Sequence, residues 1–197
     1  MASIDTLMIR IAGQFNPRVF APSWVIKNLT IGSQILKGDE IELGFDIERQ
    51  SLVYSFRGIT FAPTETDLRI EFGKKDESRI VYGTKVFLKL LKLIDLSPVK
   101  AIGFNIIYRL KDISESKFLA IFDSQSEIKI DESSSAKPSR VLFHADSGIE
   151  NCILNILSSN KDQKGYTVEF NYHFIKFDGF TSKLLWELKE DSQNKLN

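Results

Sequence analysis

The sequence predicts an α+β fold of two similar halves. Each half is a mainly antiparallel sheet with a short and a long helix, and the halves join into one continuous curved sheet. Three observations carry this expectation. Several stretches alternate apolar and polar residues with a period of two, as strands do. Other stretches carry apolar stripes at helical spacing behind capping residues. The order of these elements begins again near Pro98, close to the middle of 197 residues. That recurrence divides one compact unit into residues 1–97 and 98–197.

The elements follow in order. Over Thr6 to Ala12, Leu7, Ile9 and Ile11 alternate with Met8 and Arg10, which predicts a strand. The loop that follows holds Asn16-Pro17, and Pro22 or Ser23 starts a short helix that ends near Gly32. Glu40 to Glu48 has Ile41, Leu43, Phe45 and Ile47 on one face and acidic residues on the other, a clean strand pattern. Two more strands are expected at Ser51 to Phe61 and Asp67 to Gly73, separated by a turn at Pro63 to Thr66. Thr84 reads as the cap of a helix whose stripe is Phe87, Leu88, Leu91 and Ile94, closed by Ser97-Pro98.

The second half opens with a long strand, Val99 to Leu110. A short helix is expected at Glu115 to Asp123 behind Ser114, then a short strand at Glu127 to Ile130 and a Ser-rich loop at Asp131 to Ser139. Strands follow at Arg140 to Ala145, Glu150 to Leu157 and Tyr166 to Phe177. Thr181 or Ser182 caps a last helix bearing Leu184, Leu185 and Leu188, with a polar tail after Asp191 expected to fray. The run from Gly58-Ile59-Thr60-Phe61 to Ile70, ahead of one Thr-capped helix, parallels the run from Gly165-Tyr166-Thr167-Val168 to Phe174 ahead of the other.

In this order, strand and helix followed by a meander and a second helix, twice over, the chain resembles the TATA-binding-protein-like fold. The resemblance covers most of the chain and implies a saddle of two curved sheet halves with helices on one face. It also implies a concave sheet that, in the DNA-binding members, reads DNA. No sequence motif of those members matches, and a shared fold is not a shared function.

Composition narrows the classes. Apolar residues make up 43%, too many for intrinsic disorder. Lys and Arg number 26 against 26 Asp and Glu. Residues 1–97 carry +1 and residues 98–197 carry −1, so neither half is a hidden basic lobe. This disfavours a protein that holds nucleic acid by bulk electrostatics. Cys152 is the only cysteine, which fits a reducing, cytoplasmic setting. No signal peptide and no run of about 18 uncharged apolar residues is found, so no membrane association is expected.

Chemical motifs are sparse. The two histidines, His144 and His173, lack metal-ligand spacing, and Gly32 and Gly38 stand too far apart to cradle phosphate. No metal and no cofactor is therefore expected, and the chain reads as a non-enzyme. His144 and Asp146 share a strand face as a His–carboxylate pair that is more often structural than catalytic. Glu127-Ile128-Lys129, with Asp112 and Asp123 upstream, has the carboxylate-x-lysine form of Mg²⁺-dependent nucleases, a form that also arises by chance.

Binding surfaces are the better candidates. Asn105 and Arg109 lie on the polar face of one long strand, and Glu169, Asn171 and His173 on that of another. With helices on one side of the sheet only, these five residues share its open face. Phe15, Phe20 and Trp24 lie around Pro17 and Pro22, where they serve either as interface anchors or as a cap on the core. The expected function is a non-catalytic interaction module, a subunit or adaptor that binds a protein partner or a second copy of itself. The alternatives are a saddle-like nucleic-acid binder, with Arg57, Arg69, Lys74, Lys75 and Arg79 as its basic cluster, and the Mg²⁺-dependent nuclease.

Overall fold

A computed structural model describes residues 2–29, 41–48, 50–73, 75–94, 98–111, 140–146, 152–162, 165–174 and 180–196; for 140–146, 157–162 and 165 it describes the backbone alone. Described strands are β1 (Ala2–Gly13), β2 (Glu42–Asp46), β3 (Ser51–Phe56), β4 (Ile59–Pro63), β5 (Asp67–Phe72), β6 (Val99–Leu110), β7 (Arg140–Asp146), β8 (Cys152–Asp162) and β9 (Gly165–Phe174). Described helices are α1 (Pro22–Leu29), α2 (Glu77–Leu93) and α3 (Ser182–Asn194). The fold is α+β.

The strands form one sheet in the order β2-β3-β4-β5-β1-β6-β9-β8-β7. Every pairing is antiparallel. The sheet is open, with β2 and β7 as its two ends. Its centre is the long β1–β6 pair, which runs from Ala2 opposite Leu110 to Gly13 opposite Val99. Outward from this pair the chain returns through β5, β4, β3 and β2 on one side and through β9, β8 and β7 on the other.

The period-two patterns explain which face is buried. Leu7, Ile9 and Ile11 of β1, Phe104, Ile106 and Tyr108 of β6, and Val168, Phe170 and Tyr172 of β9 are all buried on one face. The three described helices cover that face. Tyr54 of β3 donates its hydroxyl to the Phe20 carbonyl just ahead of α1. Gly83 of α2 lies against Phe72 of β5, where an added Cβ would come within 2.3 Å of the ring. Tyr108 and Tyr172 reach α3 through their hydroxyls. Among the described residues no helix is long and apolar enough to cross a membrane.

Several boundaries differ from the sequence expectation. The single strand expected over Ser51 to Phe61 is a hairpin, because Arg57 (φ 48°) and Gly58 (φ 74°) form a tight turn between β3 and β4. Left-handed backbone at both turn residues matches the twist of the flanking strands. α2 starts a full two turns before Thr84. Asp76 caps it, its side chain accepting from the Arg79 N–H, while Thr84 sits inside the helix and returns its hydroxyl to the Ile80 carbonyl at 2.6 Å. A mid-helix threonine can satisfy itself in this way, so it need not mark a boundary. The last helix does not fray at Asp191. It continues to Asn194, because Ser192 is buried against Tyr108 and Leu196 returns to the core. Thr181 caps this helix, as expected. The helix, strand and loop expected between Ser114 and Ser139 lie outside the described residues.

Candidate functional site

The face opposite the helices is the candidate site. The same alternation that buries Ile9, Phe104 and Tyr172 turns Met8, Asn105 and Asn171 to this other side. Antiparallel register places Met8, Asn105, Asn171 and Asn155 side by side on β1, β6, β9 and β8. Three amide side chains therefore stand in one row across the second half of the sheet. No described helix crosses this face.

The structure brings together the five strand residues expected at an open face. Asn105, only 5% exposed, donates from Nδ2 to Glu169 Oε1 at 2.7 Å. Asn171 lies directly opposite Asn105, and its Oδ1 is buried without a hydrogen-bond partner among the described residues. His173 lies opposite Gly103, which in turn lies opposite Arg10. A Cβ at Gly103 would come within 3.2 Å of Asn105 Oδ1 and 3.6 Å of Asn171 Oδ1, so both amide oxygens lean over the glycine. Arg109, four residues beyond Asn105 on β6, pairs with Asp5 at 3.1 Å.

Charge on this face is largely self-neutralised. Asp67 of β5 stands between two arginines, with Arg10 at 2.8 Å and Arg69 at 3.2 Å. Arg69 also comes within 4.0 Å of Asp46. These cations are committed to carboxylates of the same face, which leaves little net field to draw in a phosphate backbone. Met8, Ile107 and Ile153 supply apolar surface between the polar groups, and Ile153 is 44% exposed. The arrangement can form directional hydrogen bonds and apolar contacts together. Among the described residues no group of three His, Cys, Asp or Glu side chains could hold a metal ion.

The aromatic loop has a different environment. Phe20 is buried and meets Trp24 and Phe61 edge-to-face, with ring centres 5.2 and 5.5 Å away. Phe15 is also buried, and Trp24 is half-buried against the same core. Two of the three side chains are thus turned inward as a cap on the core rather than outward. The basic cluster is divided as well. Arg57 lies 5.7 Å over the Tyr82 ring and Arg79 approaches Gly58, both at the end of the β3–β4 hairpin. Arg69 is on the open face with its carboxylates. Lys74, the side chains of His144 and Asp146, and the acidic residues and lysine of the nuclease pattern lie outside the described residues.

The tyrosines carry the shifted protonation equilibria, and they belong to the covered face. Burial raises Tyr54, Tyr108 and Tyr172 above the ordinary phenol range, with the Asp191 charge adding to the effect on Tyr172. These groups dock helices and stay protonated at neutral pH.

Sequence reasoning missed Arg10, Asp67, Gly103 and Asn155 as members of the open face. The alternation of β1 already set Arg10 against Ile9 and Ile11. What was missing was register, which no single strand pattern contains. No family model matches this chain, and no curated protein matches it.

Proposed function

We propose that the chain is a non-catalytic interaction module that binds a protein partner through the open face of its sheet. The observation that carries this reading is the row Asn105, Asn171 and Asn155, in which Asn171 Oδ1 has no hydrogen-bond partner among the described residues. A buried acceptor left unpaired costs about 1–3 kcal/mol. A side-chain shift that turns this oxygen to the surface would let a partner's N–H or O–H recover that cost on binding. The surrounding mix of amides, paired charges and apolar side chains resembles the composition of protein interfaces. The same paired charges argue against a nucleic-acid partner, since each phosphate contact would have to displace a carboxylate.

The reading includes two similar halves, 1–97 and 98–197. It is supported by the strand order, which places each half's first strand, β1 or β6, beside that half's last, β5 or β9. β1 and β6 then pair with one another at the centre. A partner seated on the centre would touch both halves.

The test is site-specific photocrosslinking in cells. A crosslinker at Thr167, on the open face, is expected to give a protein adduct that a crosslinker at Lys85, on the outer side of α2, does not. An adduct of twice the chain mass identifies the partner as a second copy. The reading fails if Thr167 gives only nucleic-acid adducts, and more so if binding to DNA weakens steeply between low and moderate salt.

A further inference from the structure

Cations on the two sides of the molecule have different surroundings. On the open face Arg10, Arg69 and Arg109 are each paired with a carboxylate. On the outer side of α2, Lys85, Lys89 and Lys92 are not. Spacings of four and three residues bring these lysines into one row along the helix, opposite the buried Ile80, Gly83, Phe87 and Leu90. Lys85 and Lys92 are exposed and Lys89 is half-buried. Among the described residues no carboxylate lies within salt-bridge distance of any of the three. The one acid of α2, Glu77, is its first residue. It lies about 12 Å along the axis from Lys85, beyond the screening length of about 8 Å in physiological salt. The neighbouring helices add no counter-charge. α1 has no acid and exposes Lys27. Glu187 and Glu190 of α3 pair within their own helix, with Lys183 at 3.6 Å and Lys189 at 2.9 Å. A chain of zero net charge thus carries a locally positive helix face.

Apolar side chains flank this row. Leu88, 37% exposed, lies one turn from both Lys85 and Lys92. Leu93, 43% exposed, lies one turn beyond Lys89. The lysines form the crest of the helix and the leucines its shoulders, a convex arrangement. A rigid acidic helix or strand meets such a crest along one line and leaves the leucines uncovered. A nucleic-acid backbone satisfies the lysines but sets only phosphate and sugar against the leucines. A bilayer surface with anionic headgroups is fluid and closes around the crest. Lysine stems carry their charge to the phosphates while the leucines reach the boundary with the acyl chains. Adsorption of this kind needs no membrane-spanning helix.

We propose that the outer side of α2 is a docking surface for an anionic lipid bilayer. Lys85, Lys89 and Lys92 meet its headgroups, and Leu88 and Leu93 lie at the boundary between headgroups and acyl chains. The helix layer then rests on the membrane, and the open face of the sheet is directed away from it. The site is separate from the open-face row and stands without it.

Co-sedimentation of the full chain with vesicles tests this. One set is phosphatidylcholine alone, and the other contains about one-third phosphatidylserine. Each lysine near an anionic leaflet contributes about fivefold to partitioning, so the three predict about 100-fold tighter binding to the anionic vesicles. That preference should fall as salt is raised. The triple variant Lys85→Gln, Lys89→Gln, Lys92→Gln is expected to lose most of it, and Leu88→Ser to weaken binding to anionic vesicles several-fold. These side chains lie on the outer side of α2, and a thermal melt confirms that each variant is folded. Asn171→Ala should leave vesicle binding unchanged, which separates this site from the open face. Equal binding to the two vesicle sets, including none to either, overturns the proposal, as does an undiminished preference in the folded triple variant. A protein adduct from a crosslinker at Lys85 in cells would assign the row to an acidic protein and overturn it too. So would binding to duplex DNA that depends on the three lysines and exceeds binding to anionic vesicles.

Discussion

Helices α2 and α3 cover the same face of one sheet but grip it in different ways. α2 fits by shape. Ile80, Val86, Phe87 and Leu90 are buried, and Gly83 lets the helix settle onto the Phe72 ring. α3 fits by hydrogen bonds. The Tyr108 hydroxyl meets Ser192 Oγ at 2.9 Å and the Lys189 carbonyl at 3.3 Å. The Tyr172 hydroxyl donates to Asp191 Oδ2 at 3.2 Å and to the Leu188 carbonyl at 3.4 Å. Asp191 is held in turn by Lys195. Steric fit has no tolerance for an added atom. A hydrogen-bonded contact degrades in smaller steps and responds to pH.

The largest effect is expected on the α2 side. Gly83→Ala would ordinarily favour a helix by about 1 kcal/mol. Here the new methyl would lie 2.3 Å from the Phe72 ring, on a residue with no exposed surface to yield into. Overpacking of this kind costs about 1–3 kcal/mol, so net destabilisation is expected by urea unfolding. Phe72→Leu should make room and reduce that cost, giving a coupling energy above ~0.5 kcal/mol in a double-mutant cycle. Additive effects would mean that α2 does not rest on Phe72 by shape.

The α3 side should respond less and with a pH signature. Tyr172→Phe removes hydrogen bonds worth roughly 1 kcal/mol in net terms. The Tyr172 phenol is raised above its ordinary value, first by burial and then by Asp191. Its proton is held more tightly in the folded than in the unfolded chain. The associated stability is complete below pH ~10, where the unfolded phenol begins to ionise, and is lost as pH rises above it. Wild type should therefore lose stability faster than Tyr172→Phe above pH ~10, by up to about 1.4 kcal/mol per pH unit. Parallel curves for the two proteins from neutral pH to pH ~11 would remove the distinction between the helices.

This contrast also marks what the sequence could tell. The long strands were legible because Leu7-Ile9-Ile11 and Tyr166-Val168-Phe170-Tyr172 repeat without a break, and Val99–Leu110 has the boundaries the pattern predicts. The start of α2 was not, because Thr84 is a strong capping residue that here bonds within its own helix, while Asp76 sits in a polar run with no apolar stripe to announce it. The β3–β4 hairpin was hidden because Arg57-Gly58 is a weaker turn signal than Asn-Gly, and apolar residues continue on both sides. The open face was half legible. Alternation assigned Asn105, Arg109, Glu169, Asn171 and His173 to one side, but only pairing brought Gly103, Arg10 and Asp67 among them. Whether Phe20 faced out or in was fixed by Tyr54 and Phe61, partners more than thirty residues away.

The smallest effect is expected on the open face, and its smallness is informative. Arg10 pairs with Asp67 at 2.8 Å, but its side chain is 52% exposed. Water screens such a pair, and holding a long side chain in place costs entropy, so Arg10→Ala should change stability by less than about 0.5 kcal/mol. Asp67 keeps Arg69 as a partner in that variant, so no buried charge is stranded. If the loss instead matched that of Gly83→Ala, the Asp67-centred ion pairs would be a structural clamp, and the two sheet faces would contribute alike to stability. A near-zero effect leaves these charges with no large structural role. Their arrangement across the centre of the sheet would then be available for the partner contact we propose.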